Sequence, residues 1–596
     1  MSIIGGILNR RGPFVPDDIK GELLAALSRK PDDVPEILES GPCVLAKIDV
    51  GAYGAPAFFR SPGGGGAVLA GYPGLTGSVV GDRNGQLSEF VRRLEREDEK
   101  ALEHADGTFC AAHYARATGV LRLITDKVGV RGLYYWANHE IVVFASALRI
   151  IERLSCVQRS LDVRGVAETI AFGHPLGDRT PYRGVKRLLP GEVILISKSA
   201  ISRSRYWRWE DVAVSSEAKP ELPANTRQAF LRAVESRAQN DTSTVAFLSG
   251  GLDSRIIVAA LRELKKRVVT VNLSMADSLD QVLARSFAEA CGTQHLEGLW
   301  IRGDHPIPSY VRLLSSETRA PFAAERSRLI WSGDGGSVGL GLVYVNPGTV
   351  EALKKGDDQQ ACRLLMADLG AAIPTKFLTP HLRSDMAAAP MEGLCEELAA
   401  VQHSDPVRRL HILLMNTDQR WHLFSTFENV DLNRIEMHLP FFDGAFLTAV
   451  MGVPPEWCLQ HRFYNEMLPL FLPEVTRVPW QAYPGHEKCP LPLPSGPTYQ
   501  WSAEQLTKRS AINKQYILDE ARRQLARFPG AIFSASRYRT ALLLFRLGIR
   551  DYGYLFEVVS RVAPLWEASG SPARVTSPSQ PDDAAEKEPA RGVAVR

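Results

Sequence analysis

The chain has 596 residues, 45% hydrophobic, 23% charged and 8% aromatic, with a formal net charge of +3. That length exceeds what one hydrophobic core holds and predicts two or more domains. So small a charge gives no electrostatic case for nucleic acid as the main partner, and the lack of any run of about 18 apolar residues argues against a membrane-spanning helix. The opening MSIIGGILNRRGPF has no basic start, long apolar stretch and cleavage site, so it does not read as a secretory signal. Eight cysteines (43, 110, 156, 291, 362, 395, 458 and 489) are scattered without a Cys-x-x-Cys pair. Such spacing suits a reducing, cytoplasmic setting with thiols acting as small core residues. His486 and Cys489 are close in sequence, but two potential ligands on one loop do not make a zinc site.

In chain order, residues 1–210 read as β-rich, with short apolar runs at 67–70, 121–125, 140–145 and 192–196 between Gly, Pro and Asp turns. Four glycines at 63–66 lack a strand–loop–helix context and read as a hairpin tip rather than a phosphate loop. A polar, proline-containing stretch, 211–225, reads as a linker. Over 226–500 strands alternate with amphipathic helices, the pattern of a parallel α/β sheet. Strands are expected at 244–248, 268–274 and 295–300, and helices at 254–264 and 280–291. In the first helix Ile257, Ala260, Leu261 and Leu264 fall on one face. Residues 501–569 read as a helical extension. Residues 570–596 lack aromatic or bulky core residues apart from a few valines and read as a disordered tail.

The most informative segment is VAFLSGGLDSRII, residues 245–257. An apolar strand runs into Ser249, Gly250, Gly251, Leu252, Asp253 and Ser254, and then into a helix. Two successive glycines let the backbone approach a ligand and take up φ values closed to other residues. The helix start points unpaired N–H groups and a positive dipole end at this turn, and Ser249 and Ser254 add hydroxyls. The expectation is an oxyanion cradle for phosphate or pyrophosphate. Asp253 would repel a bare phosphate, which implies a bridging cation, most simply Mg2+. The chain contains no Gly-Lys pair, so this is not the loop of ordinary γ-phosphate transfer.

These six residues resemble the SGGxDS motif of the ATP-pyrophosphatases, and much of the chain resembles the asparagine synthetase B family. Asp106-Gly107-Thr108-Phe109, the run from Asp126 to Tyr135, and Phe144-Ala145-Ser146 are similar to the end of its glutaminase domain. Leu189-Pro190-Gly191 and Tyr206-Trp207 fit the exit from that domain, and the run from His438 to Asp443 fits its Arg-x-Pro-Phe-Leu-Asp segment. The resemblance implies an α/β and α+β multidomain protein. An N-terminal-nucleophile-hydrolase-like β-sandwich with helices would precede a parallel-sheet α/β ATP-pyrophosphatase domain with helical C-terminal additions. It further implies cleavage of ATP between its α and β phosphates to adenylate a carboxylate, followed by amide formation.

Four positions qualify what is carried over. Ser2 stands where the family's glutaminase has its nucleophilic cysteine, and Ala70-Gly71-Tyr72-Pro73 replaces the family's Asn-Gly-Glu clamp. A scaffold domain that no longer feeds ammonia is therefore expected, although a serine with its own α-amino group is a known nucleophile type. The family's second pyrophosphate motif is matched by Ser332, Gly333, Asp334, Gly335, Gly336, Ser337 and Val338; Asp334 keeps an acid, while Ser337 replaces a metal-binding Asp. The family's lysine after Leu-Pro is missing between Leu472 and Trp480, which leaves Lys488 or Arg477 to stabilise charge. Glu436 matches a family glutamate of the synthetase site, where a carboxylate acts as general base toward the attacking amine.

The resemblance thus gives ATP and Mg2+ as cofactors, with Asp253 and Asp334 as metal ligands. The pyrophosphate cradle takes in residues 249–254, Ser332, Gly333 and Gly335, and Leu273, at the end of the next strand, lies near the adenine. The partners are a small-molecule or peptide carboxylate and ammonia or an amine acceptor, with a homodimer left open. Alternatives within the family are β-lactam synthetases, lasso-peptide cyclases and amidation of a sugar carboxylate. From another class comes a non-catalytic ATP-binding regulatory protein.

Overall fold

The computed structural model describes residues 2–53, 58–61, 63–76, 82–96, 99–217, 219–299, 310, 313, 328–499 and 502–570. All but the first residue of the expected tail, 570–596, lies outside them.

The N-terminal part is a sandwich of two antiparallel sheets. One runs through β1 (Ser2–Asn9), β2 (Glu36–Ser40), β3 (Cys43–Asp49), β8 (Tyr134–Ala137), β9 (Ile141–Ala145) and β10 (Val185–Arg187), in the order β10-β8-β9-β1-β3-β2. The other holds β4 (Phe58–Arg60), β5 (Gly66–Tyr72), β6 (Thr108–Ala115), β7 (Val120–Thr125), β11 (Glu192–Ile196) and β12 (Ile201–Arg205), in the order β12-β11-β7-β6-β5-β4. The four apolar runs read from the sequence fall on β5, β7, β9 and β11. β1 reads SIIGGILN because both of its faces are covered: Ile4 and Leu8 join the core between the sheets, and Ile3 and Ile7 the core behind it. The glycines at 63–66 do form a hairpin tip, closing β4 onto β5 through Gly64 N–H to Ser61 O at 2.9 Å.

The second part is built on a five-stranded parallel sheet of β13 (Ser243–Phe247), β14 (Arg267–Ser274), β15 (Gln294–Leu299), β16 (Leu329–Trp331) and β17 (Glu436–His438), in the order β15-β14-β13-β16-β17. Strand order turns around at β13, which has β14 on one side and β16 on the other. The crevice beyond its carboxyl end is where open α/β sheets bind ligands. The helix after β13, Asp253–Glu263, is buried along the whole of residues 254–261, so it is a core helix rather than the one-sided helix its periodicity suggested. The helix Leu222–Ala238 begins inside the stretch read as linker, with Pro223 in its first turn, where a missing N–H costs nothing. The C-terminal helices Ala503–Gln524, Ala535–Arg546 and Gly553–Ala568 complete the chain, the last packing on Val163–Phe172 of the sandwich part.

The two parts meet along a seam rich in arginine–carboxylate pairs. Arg29 Nη2 lies 2.6 Å from Asp431 Oδ1, Arg149 Nη2 3.2 Å from the same oxygen, Arg83 Nη2 3.0 Å from Asp241 and Arg434 Nη1 2.8 Å from Asp33. Burial pushes Asp431 up, but Arg29 and Arg149 outweigh it and hold the carboxyl below its usual range. Glu428 accepts the N–H of Leu148 at 2.6 Å, and burial pushes its carboxyl up to about 7.

Candidate functional site

The loop joining β13 to Asp253–Glu263 carries the sequence's main motif, and its geometry differs from the open cradle expected. Ser249 N–H donates to Ser254 Oγ at 2.9 Å, Gly250 N–H to Asp280 Oδ1 at 2.9 Å, and Gly251 N–H to Ser249 Oγ at 3.2 Å. Three successive loop N–H groups are thus turned onto protein acceptors, because hydroxyls and a carboxylate lie within reach. Neither Gly250 nor Gly251 has a positive φ, so conformational freedom is not their role. Gly250 is needed for space: a Cβ there would sit 3.0 Å from Asp280 Cα. The glycine that does need a left-handed conformation is Gly335, at φ +89°, in the second turn.

That second turn, 332–336, follows β16 and packs directly on the first. A Cβ on Gly333 would come within 2.9 Å of Ser254 N, and one on Gly336 within 2.4 Å of Asp253 Cγ. Asp253 is held by neutral donors alone: its Oδ2 accepts Ser337 N–H at 3.0 Å and Ser337 Oγ–H at 2.8 Å, and its Oδ1 accepts Tyr464 O–H at 2.9 Å. Burial pushes its carboxyl up to about 6 against those three bonds. Asp334 accepts a short hydrogen bond from Ser332 Oγ and one from His422 Nε2 at 2.9 Å; this bond raises the imidazole's pKa, against the effect of burial.

Between the turns and the end of β14 opens a cavity of about 470 Å3. Ser249, Asp253, Ser254, Ser332, Gly333, Asp334 and Gly335 line it, as does Leu273 on the opposite wall beside Val271 and Asn272. Among the described residues lining it there is no lysine or arginine. Gly251 and Leu252 face a smaller cavity of about 90 Å3 behind Asp253.

Three expected residues, Glu436, Lys488 and Arg477, lie elsewhere. Glu436 is on β17, but it is Met437 that faces the cavity; strand alternation turns Glu436 away, where its Oε2 meets Arg131 Nη2 at 2.9 Å, both side chains at most 4% exposed. Its carboxylate is part of the domain seam and does not line the cavity. Lys488 and Arg477 are exposed and line neither cavity, since both are carried on surface loop and helix-end positions. Ser2 opens β1 opposite Asp49; its side chain lies outside the described residues. Where the family has its glutamine clamp, Tyr72 is buried, with its hydroxyl 2.5 Å from Gln86 Oε1 and accepting Gln239 Nε2–H at 2.9 Å.

Tyr464, His422, Asp280 and Tyr344 were not found from the sequence. Each is brought in from a distant segment, and a lone Tyr or His carries no local signal.

A family model described as glutamine amidotransferase domain matches residues 89–207, and one described as asparagine synthase matches residues 225–331. Asparagine synthetase [glutamine-hydrolyzing] 3 of Bacillus subtilis (strain 168) is 28% identical over 165 residues, 27% of this chain and 26% of that protein. Putative asparagine synthetase [glutamine-hydrolyzing] 2 of Methanocaldococcus jannaschii is 24% identical, over 27% of this chain and 32% of that protein. Asparagine synthetase [glutamine-hydrolyzing] 2 of Arabidopsis thaliana is 22% identical over 391 residues, 63% of this chain and 56% of that protein. The first two matches span about a quarter to a third of those relatives' lengths. The chain therefore combines a glutamine-amidotransferase-like sandwich with an asparagine-synthase-type parallel-sheet domain. The content and order of the two matches are consistent with an asparagine-synthetase-B-like protein.

Proposed function

We propose that the chain is an ATP-dependent ligase that adenylates a carboxylate, releases pyrophosphate and joins the acyl group to an amine. The observation that carries this reading is the packing of the 249–254 turn on the 332–336 turn, with the carboxylates of Asp253 and Asp334 facing one cavity of about 470 Å3 beyond β13.

In the proposed reaction a carboxylate oxygen attacks the α-phosphorus, and the bond to the bridging oxygen breaks with its electrons leaving on pyrophosphate. The neutral amine's nitrogen then attacks the acyl carbon, the carbon–oxygen bond to AMP breaks with its electrons leaving on AMP, and the nitrogen's excess proton passes to water. Val271 and Leu273 supply an apolar wall for the adenine, and Ser249, Ser254 and Ser332 put hydroxyls beside the phosphates. Asp253 and Asp334 fit Mg2+, which commonly takes one or two protein carboxylates and fills its shell with phosphate and water. Mg2+ bound there would neutralise phosphate charge in a cavity that has no lysine or arginine among its described lining. Glutamine hydrolysis is left out of the proposed reaction, because Tyr72 occupies the clamp position and is itself hydrogen-bonded on both sides.

Incubation with Mg-ATP, aspartate and either ammonia or glutamine, with AMP, pyrophosphate and asparagine assayed, tests the reading. AMP above the level of the Asp253→Asn variant is the expected result. No Mg-ATP binding by calorimetry would overturn it. Mg-ATP binding without AMP from any carboxylate and amine offered would leave a non-catalytic nucleotide-binding protein as the better description.

A further inference from the structure

A second cavity, of about 290 Å3, adjoins the nucleotide cavity and has a different chemistry. It lies between the end of the sandwich helix Val163–Phe172, the helix Asp358–Asp368 and the π-helical turn Met415–Gln419. Phe172, Leu365, Leu369, Leu394 and Leu414 make its apolar walls. Tyr344 lines both cavities, and the π-turn divides its residues between them: Gln419 faces the nucleotide cavity and Asp418 the second one. Gln419 Nε2–H donates to Asp418 Oδ2 at 2.7 Å, so one hydrogen bond spans the partition. A π-turn in a helix commonly marks a functional site.

The polar groups of the second cavity are nearly all acceptors. Asp368 and Asp418 contribute carboxylates, Asp368 already accepting a short hydrogen bond from Asn346 Nδ2. His174 Nδ1 lies 3.0 Å from the carbonyl oxygen of Pro175, which cannot donate, so Nδ1 carries the proton and Nε2 is left with its lone pair. Burial holds the ring's pKa down to about 4, and the ring stacks on Trp421 at 5.8 Å and 9°. Thr417 spends its hydroxyl proton on Leu413 O at 2.7 Å. Tyr344 also lines this wall. No lysine or arginine is among the described lining residues. Two carboxylates, an imidazole lone pair and an apolar body are complementary to a ligand that donates hydrogen bonds, carries positive charge and has a hydrocarbon part.

We propose that this cavity binds the amine acceptor of the ligase, and that the acceptor is a primary ammonium compound with an apolar chain rather than free ammonia. The inference rests on the ligase reading given above. Asp418 is the counter-ion next to the nucleotide cavity, His174 Nε2 accepts a second ammonium N–H, and the leucines hold the chain. A volume of about 290 Å3 is at the small end of ligand pockets, which suits a short alkylamine and not a peptide.

Calorimetric titration of the full-length protein with n-hexylammonium, ammonium and hexanoate, each with and without Mg-ATP, tests this. Hexylammonium is expected to bind at least tenfold more tightly than ammonium, with no heat from hexanoate. Asp418→Asn should weaken hexylammonium binding tenfold or more, and Leu369→Trp, which fills the apolar end, should do the same without touching a charge. Equal binding of hexanoate, no binding of hexylammonium to the wild type, or wild-type affinity in both variants would overturn the proposal. Wild-type Mg-ATP binding separates the two readings: nucleotide without amine sinks this inference alone, whereas amine without nucleotide sinks the ligase reading and leaves the ammonium site standing.

Discussion

Along the seam between the domains Asp431 and Glu436 meet arginines, whereas in the cavity beyond β13 Asp253 meets hydroxyls and a backbone N–H. Asp431 sits between Arg29 and Arg149, and Glu436 against Arg131. Asp253, partly buried at the cavity wall, has Ser337 and Tyr464 as partners. The difference decides what each acid can do next. A carboxylate neutralised by arginine gains nothing from a second cation, and removing its partner strands a buried charge. One held by neutral donors stays available to a cation that arrives with a ligand. The seam is built to stay fixed and the cavity to be completed.

Breaking the seam should have the largest effect on stability. Arg131→Met leaves Glu436 buried without its arginine and is expected to cost about 3–5 kcal/mol, read as a lower midpoint in urea. Adding Glu436→Gln should recover most of the loss.

A smaller effect depends on pH. The folded protein raises Glu428 from its ordinary range to about 7. The stability this group contributes is therefore fully present below its unfolded pKa and is lost as pH rises through about 7. Glu428→Gln should remove a loss of about 2–3 kcal/mol between pH 5 and pH 8.5. Denaturation curves that keep their wild-type pH slope in the variant would place the titrating group elsewhere.

On the cavity side the changes should spare the fold and alter the ligand. In Gly336→Ala the new Cβ meets Asp253 Cγ, so Asp253 must move. Mg-ATP affinity should fall about tenfold, or ~1.4 kcal/mol. Lys488→Ala should do least. The residue is exposed and lines neither cavity, so stability within about 0.5 kcal/mol of wild type and unchanged AMP formation are expected.

Much of the fold was legible because its signals are local. The strands around residues 245, 270 and 297 end within one or two residues of their sequence-derived limits. The Gly-Gly-x-Asp-Ser turn marked the crevice before any strand order was known. What misled was also local. The Gly-Gly pair suggested unusual φ values, but a glycine's reason for being glycine depends on its neighbours, and Asp280 supplies it for Gly250. Glu436 and Lys488 were placed by likeness to motif positions. Which face of β17 meets the cavity, and where the loop carrying Lys488 lies, depend on packing against Arg131 and on the course of the loop.

Sequence alone determined the order of the two domains, the alternation of strands and helices, and the turn from Ser249 to Ser254 at the end of a buried strand. Each follows from periodicity, glycine placement and helix-start chemistry within a dozen residues. Tertiary structure decided which acids are neutralised and which stay open, that Tyr464 and Ser337 hold Asp253, and that Asp418 and His174 share a cavity next to the crevice beyond β13. Those outcomes depend on groups tens to hundreds of residues apart meeting at hydrogen-bond distance, and no local pattern records such a meeting.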